Sequence, residues 1–424
     1  LFSLQRNFLL NVGIATIGAV GAQAISMIFV PILARLYGPE AWGALGTVVA
    51  IVSLVAPIAA LSYPIAIILP ELDRDAIALV KVSLGSATAT TLLALTAVLV
   101  VWIAADFIEF ELPVSPPLLL VIPFAILFLS LTDIATQWLI REHRFVAMAK
   151  AQVGASLFVN LLRAVIGLLS PTVPFLLCAY GTGTAIQSGL IALGARKSMR
   201  AKWSYHSTRE LILAARLNLD FVVYRTPQVL INSLSQGLPT IVLATWYGST
   251  AAGFFAMSTT ILAIPTLLMG KAVSDVFYPQ LTKAHQVGQR VGPMLISTTA
   301  LLLVIGIAPF GLVMAKGPDL FRYILGEEWR MAGQYAQWLS LWLLMGFINR
   351  ACVAAIPVLN LQRAYLLFEI ASVLTRVGVL AAGLAMQVHD VELVAAFSVT
   401  SAALNLMLVL ATMVAGWQRD RHHK

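Results

Sequence analysis

Ionisable side chains are scarce inside the long apolar stretches of this chain, so those that occur there are the first candidates for chemistry. Five are basic: Lys81, Arg163, Lys271, Arg350 and Arg376. A cation in hydrocarbon costs several kcal/mol unless it is paired, reaches the interface or lines a wet cavity. Arg163 and Arg376 are the deepest, about 12 and 11 residues beyond the inner boundaries of their spans, or about 17 to 18 Å at helical rise. Two roles fit that depth. One is a cavity cation that meets an anionic group or throws a structural switch. The other is a private salt bridge, with Glu369 seven residues before Arg376 on roughly the same face and Asp133 as the comparably embedded acid of the first half. Lys271 has Asp275 four residues later, the spacing of neighbours on one helix face. It also follows Gly270 in a helix interrupted by Pro265, a pattern common in cavity-lining helices. Lys81 and Arg350 lie near span ends and read as snorkelling side chains. With Arg225 at the entry to the seventh span, the candidate anion-binding cations are Arg163, Arg376, Lys271 and Arg225, and the candidate ion-coupling or partner acids are Asp133, Glu369 and Asp275.

The elements that position these residues follow from composition. Of 424 residues 60% are apolar and only 11% charged, with a mean hydropathy of +0.90. Too few polar groups remain to clothe a water-exposed surface, which excludes soluble, disordered and nucleic-acid-binding classes. A bilayer core about 30 Å thick needs roughly 20 apolar residues in helix. Twelve stretches qualify, approximately 8–33, 43–69, 78–104, 118–139, 151–169, 174–194, 227–246, 253–276, 292–315, 333–357, 365–386 and 393–416. They are apolar on every face, unlike the alternating ten-residue strands of a barrel. The expected fold is therefore an all-α integral membrane protein. With the N-terminus inside, inner connections and tails hold 18 of the 27 basic residues and outer ones hold 4, which places both termini in the cytoplasm and accounts for the net charge of +8.

The connection 195–226 carries seven basic residues and divides the spans six and six. The expected domains are a six-helix bundle over 1–194, a cytoplasmic basic amphipathic connection over 195–226, and a second bundle with a short cytoplasmic tail over 227–424. Ser207 and Glu210 have capping-box spacing, predicting an amphipathic helix on the inner leaflet. An internal repeat supports two related halves: Tyr37-Gly38-Pro39-Glu40-Ala41-Trp42-Gly43 recurs as Tyr247-Gly248-Ser249-Thr250-Ala251-Ala252-Gly253, and Pro70-Glu71-Leu72 as Pro279-Gln280-Leu281. Lys150 and Arg163 match Arg363 and Arg376 at an offset of 213. An even number of spans per half predicts parallel repeats, with a cavity where they meet. The opening Leu suggests a trimmed start, and the first apolar stretch reads as a permanent helix rather than a signal peptide. Cys178 and Cys352 fall in spans and are expected to be buried apolar residues, not a disulfide or metal site.

Enzyme signatures are missing. Gly189 and Gly194 precede Ala195-Arg196-Lys197-Ser198 without a phosphate-loop ending, Gly181-Thr182-Gly183 lies inside a span, and the six His residues show no metal-ligand pair within a helix. No cofactor is expected, and no connection is large enough to fold as a catalytic domain.

The run Leu36-Tyr37-Gly38-Pro39-Glu40-Ala41-Trp42-Gly43, the segment Tyr63-Pro64-Ile65-Ala66-Ile67-Ile68-Leu69-Pro70, the stretch from Leu238-Pro239 to Val276-Phe277-Tyr278-Pro279, and Leu325-Gly326-Glu327-Glu328-Trp329-Arg330 resemble the polysaccharide biosynthesis transporters. These are the O-antigen and exopolysaccharide flippases of the multidrug/oligosaccharidyl-lipid/polysaccharide (MOP) exporter superfamily, and the likeness covers essentially the whole chain. The resemblance implies twelve transmembrane helices in two pseudo-symmetric six-helix bundles, alternating between inward and outward access in a bacterial cytoplasmic (inner) membrane. It implies an undecaprenyl-diphosphate-linked oligosaccharide as cargo for O-antigen, exopolysaccharide or capsule synthesis, with membrane lipids and a polysaccharide polymerase with its chain-length machinery as partners. It supplies no binding positions. A diphosphate needs cations at mid-depth, for which Arg163, Arg376 and Lys271 are available, and H+ or Na+ coupling is compatible with Asp133 or Glu369. The competing class is a cation-coupled drug or organic-cation antiporter of the same superfamily, which needs embedded carboxylates. A membrane scaffold would show sealed pairs, and a glycosyl-transferring enzyme needs larger polar loops than this chain has.

Overall fold

The computed structural model describes residues 2–108, 115–273, 277–287 and 289–422, with side-chain surroundings for all of these except 2–12, 14, 15, 105–108, 267–272, 285 and 422. Among them there is no strand. Helix α1 (Phe2–Ala59) is broken at Gly38, whose φ of 66° and ψ of 172° are not helical. A one-turn α2 (Tyr63–Ala66) leads to α3 (Asp73–Ile108), α4 (Val121–Arg141), α5 (Phe145–Leu169), α6 (Val173–Ala201), α7 (Thr208–Leu217) and α8 (Thr226–Trp246). Then follow α9 (Ser249–Ala272), α10 (Tyr278–Gln286), α11 (Val291–Leu325), α12 (Arg330–Ala355), α13 (Gln362–Ala385) and α14 (Asp390–His422).

Nine stretches among the described residues are long and apolar enough to cross a membrane, against twelve expected. Three places account for the difference. The first stretch, Thr16–Ala59, takes in most of the first two expected spans (8–33 and 43–69), joined across Gly38, and the helix ends at Ala59 rather than running on to 69. The seventh expected span, α8, is diluted by Gln228, Asn232, Ser233, Ser235 and Gln236, and the eighth lies on α9, whose last six residues fall outside the described side chains.

Packing divides the chain into two compact units, 1–249 and 250–424, so the boundary falls after α8 rather than within the connection 195–226. The reason is close packing of α8 on α1, where a Cβ on Gly237 would lie 3.3 Å from the carbonyl oxygen of Ala50. In the first unit α1 and α5 run side by side in the same direction: Gly18 meets Ala149, Gly21 meets Val153, Ser26 bonds Ser156, and Tyr37 packs on Gly167. Small residues at such crossings let backbones approach where no hydrophobic drive separates protein from lipid.

The second unit has its own core. Gly317 of α11 and Gly333 of α12 touch so closely that a Cβ on Gly333 would sit 2.5 Å from the Gly317 carbonyl. Around them Trp342 and Phe397 meet edge to face at 5.1 Å, Phe254 packs on Trp329 and Tyr335, and the buried Tyr335 hydroxyl donates to Asp390 at 2.6 Å. Cys352 is buried as expected, whereas Cys178 is exposed on the surface of α6, and both are free thiols.

Candidate functional site

Two polar stripes on otherwise apolar helices face each other in the first unit. On α5, Gln152, Ser156, Asn160 and Arg163 recur at intervals of four, four and three residues, and on α1 Gln23 and Ser26 are three apart. Close approach at Gly18 and Gly21 brings the stripes together around a cavity of about 370 Å³, which Gln187 of α6 also lines. Ser156 Oγ donates to the Ala22 carbonyl at 2.6 Å and lies 3.0 Å from Ser26 Oγ. The buried Asn160 amide donates to the Ser156 carbonyl at 2.8 Å and to Ser26 Oγ at 3.2 Å. Among the described residues no carboxylate lines this cavity.

Arg163 closes one end of it. The guanidinium sits over the Tyr180 ring at 5.9 Å, a cation–π contact contributed by α6. Its backbone carbonyl accepts from Tyr37 Oη at 2.8 Å, and the Tyr37 ring fills the groove left by Gly167, where a Cβ would come within 2.9 Å of it. The Tyr of the repeated Y-G-x-x-A-x-G motif, immediately before the Gly38 break, thus clasps α5 at Arg163 and at Gly167 four residues on. Arg163 Nε is buried without a hydrogen-bond partner, as is Gln152 Oε1. Among the described residues no carboxylate lies within 4 Å of Arg163, so it is not locked to an acid of its own.

The depth of Arg163 differs from expectation. Helix α5 begins at Phe145, directly after a turn with His143 at φ 53°, so Arg163 stands about 27 Å from that end and about 9 Å from Leu169. Arg376 lies about 21 Å from the start of α13, which follows a similar turn at Asn360 with φ 58°. Measured from helix starts the offset between these two helices is 217 rather than the 213 that aligns the arginines, so the two cations are one turn out of register.

The other predicted site residues fall elsewhere. Arg376 is half-buried and donates from Nε to Ser401 Oγ of α14 at 3.2 Å; Glu369 and Tyr365 act on it electrostatically, and Tyr365 hydrogen-bonds Glu369. Asp133 is exposed on α4 and accepts from Gln137 at 3.5 Å, apart from the Arg163 cavity. Arg225 is exposed in the turn before α8 and donates to Gln228 at 2.9 Å, also apart from it. Lys271 is on α9 with its side chain outside the described residues, and Asp275 lies outside them altogether. No cluster suited to a metal ion occurs among the described residues. Ionisable residues alone were thus an incomplete guide: Gln23, Ser26, Gln152, Ser156, Asn160 and Gln187 were overlooked, although polar residues at helical spacing inside an apolar span were the available signal.

The connection before α8 is fastened to the first unit rather than loose. Arg141 grips the carbonyls of Ile67 at 3.2 Å and Pro70 at 2.6 Å together with the Asp73 carboxylate at 3.2 Å. Lys202 bridges Glu142 at 2.8 Å and Asp73 at 3.1 Å, and those two carboxylates, Glu142 foremost, hold its ammonium above the ordinary lysine value. Lys81 donates to the Ser204 carbonyl at 2.7 Å and lies over Trp203, and Arg74 pairs with Glu210. The predicted capping box of α7 is present, while Ile212, Leu213 and Leu217 remain exposed along that helix.

The profile of the polysaccharide biosynthesis protein family matches residues 32–333. The chain belongs to this family. Its fold is similar to those of solved transporters: an inward-facing multidrug resistance MATE transporter of the MOP superfamily aligns with a TM-score of 0.71 and 14% identity over 98% of both chains. The lipid II flippase MurJ in an inward closed conformation aligns with a TM-score of 0.68 and 14% identity over 94% of this chain and 87% of that one. A MOP superfamily transporter from Pyrococcus furiosus Vc1, reported with a binding pocket of reverse polarity, aligns at 0.54 and 13% over 98% and 95%. No curated protein sequence gives a significant match. This polysaccharide biosynthesis family member is thus a multi-pass helical membrane protein whose fold matches those solved structures.

Proposed function

We propose that this protein is a flippase that carries an undecaprenyl-diphosphate-linked oligosaccharide from the inner to the outer leaflet of a bacterial cytoplasmic membrane by alternating access, and that it is not an enzyme. One observation carries the reading: Arg163 lines a polar cavity in the first unit whose wall, among the described residues, holds no acid. Such a cavity has a positive potential in a low-dielectric surround, which suits a phosphorylated headgroup and opposes an organic cation. Family membership and the likeness in fold to a lipid II flippase point the same way. A drug or organic-cation antiporter would want carboxylates there.

In this reading both termini are cytoplasmic, and the exported units pass to a polysaccharide polymerase and its chain-length machinery. Arg163 is the primary headgroup cation, with Arg376, Lys271 and Arg225 as further contacts along the route. An inside-negative potential assists outward movement of an anion by about 2.3 kcal/mol per charge per 100 mV. H+ or Na+ exchange through Asp133 or Glu369, with Asp275 as a local partner of Lys271, would add to it. The test is translocation of a lipid-linked oligosaccharide by purified protein in proteoliposomes under imposed ion gradients. Transport that disappears in Arg163→Ala at unchanged protein level is expected. Export of organic cations with no movement of the glycolipid would overturn the proposal.

A further inference from the structure

The wall of the Arg163 cavity is polarised along the helix axis. Both amide hydrogens of Asn160 are used, on the Ser156 carbonyl and on Ser26 Oγ, so its Oδ1 is left as an acceptor. The Ser156 hydroxyl hydrogen goes to the Ala22 carbonyl at 2.6 Å, and that of Ser26 goes to the same carbonyl at 3.2 Å or to Ser156. What these hydroxyls offer a guest is therefore lone pairs. Gln152 Oε1 is a further buried acceptor without a partner, and the amide N–H groups of Gln152, Gln23 and Gln187 add donors to the same wall, a mixture that suits hydroxyls, which both give and accept. At the far end, about 16 Å along α5 from Gln152, Arg163 has only donors to give, and its Nε is unpaired.

A guest that fits must bring hydrogens to the acceptor stretch and negative charge to the arginine. A bare phosphate has no donor for Gln152, Ser156 and Asn160, and an ammonium group, though a donor, is repelled by Arg163. A sugar bonded to a phosphate meets both demands within one group, with hydroxyl donors beside an anion. We infer that Gln152, Ser156 and Asn160 form a subsite for sugar hydroxyls, holding the glycosyl unit attached directly to the phosphate at Arg163. This rests on the anionic-cargo reading above and adds the neutral part of the headgroup to it. It also sets an orientation, with the phosphate toward the Leu169 end of α5 and the sugar toward the Phe145 end.

The experiment is equilibrium binding to the full-length protein in nanodiscs, using farnesyl phosphate and farnesyl phosphate esterified to the anomeric oxygen of glucose, galactose or N-acetylglucosamine. At least one glycosylated probe is expected to bind about tenfold tighter than the sugar-free one, the worth of one to two hydrogen bonds. Gln152→Leu should cut that preference about fivefold and leave farnesyl phosphate unaffected. Its Oε1 makes no bond within the protein, so loss of folding is not a confounder. Asn160→Leu should act in the same sense, read alongside its thermal stability. Equal affinity for all probes, or a preference that survives both substitutions, would overturn the sugar subsite while leaving the anion site standing. Failure of wild type to bind any phosphate probe, or full binding in Arg163→Met, would overturn the anion reading and this inference with it.

Discussion

Replacing Arg163 by Met separates a binding cation from a structural one. Met keeps an unbranched chain of similar reach and removes the charge. Two terms decide stability. Loss of the contact over Tyr180 at 5.9 Å costs about 0.5–2 kcal/mol. Removal of a charge from hydrocarbon returns about 2.5–3.5 kcal/mol on insertion scales, and no carboxylate within 4 Å is left behind unpaired. The variant should therefore be more stable than wild type by about 0.5–3 kcal/mol, less where the guanidinium reaches toward the nearby Leu169 end of α5. A charge-assisted hydrogen bond to phosphate contributes about 1.5–3 kcal/mol, so headgroup affinity should fall about 10- to 150-fold. Arg163→Lys should land between the two, retaining charge but losing the planar fork. Unfolding titration in mixed micelles measures the first quantity and proteoliposome transport the second. A variant destabilised by the 3–5 kcal/mol typical of a broken buried ion pair, yet transporting normally, would refute the reasoning.

Gly167→Ala places a Cβ 2.9 Å from the Tyr37 ring and should destabilise by about 1–3 kcal/mol, whereas Tyr37→Phe should cost about 0.5–1.5 kcal/mol for the hydrogen bond alone; the same unfolding titration ranks them. Gly333→Ala meets Gly317 and Pro318 backbone at 2.5 Å, which cannot rotate away, so a loss of about 3 kcal/mol or more and poor expression are expected. Glu210 is held below the ordinary carboxylate value of 4.5, first by the Ser207 backbone N–H, then by its hydroxyl, with Arg74 adding to both. Its contribution is thus present above that value and is lost as pH falls through the depressed one. Hydrogen-exchange protection over 203–217, corrected for the intrinsic pH dependence of exchange, should fall on acidification below pH 4.5, and in Glu210→Gln it should already be low at neutral pH.

Much of the architecture was legible because the bilayer imposes it. Apolar runs of twenty residues have few alternatives to helix, and the capping box at Ser207 and Glu210 located α7 within a residue. Span counting slipped where polarity entered: α8 carries eight amide and hydroxyl side chains and drops out of an apolar count, although its packing on α1 places it in the first unit. Polarity also misled at the site. Charge is conspicuous in an apolar sequence, so Arg163 stood out, while Gln152, Ser156 and Asn160 cost little enough singly to pass for ordinary helix residues. Their role depends on a neighbour, α1, whose stripe of Gln23 and Ser26 is 130 residues away in sequence from the Ser156 it touches.

The repeat shows which features two related halves keep. Gly38 and Gly248 stand in the same motif, and both adopt the left-handed region, at φ 66° and 87°, where a side chain would be strained. His143 and Asn360 likewise hold positive φ before α5 and α13. These are demands of the backbone, made wherever one helix must end and the next begin, and any pair of descendants of a common bundle must go on meeting them. The embedded arginines are not of that kind. Arg163 faces a cavity without an acid, whereas Arg376 stands one turn out of register and shares its surroundings with Ser401 and Glu369. Matching turns with unmatched charges is the pattern expected when the scaffold is fixed by helix geometry and the cargo is asymmetric. The proposed cargo, a headgroup anionic at one end and rich in hydroxyls along the rest, would need a cation once and hydroxyl partners several times, and the first unit holds Arg163 beside Gln152, Ser156 and Asn160.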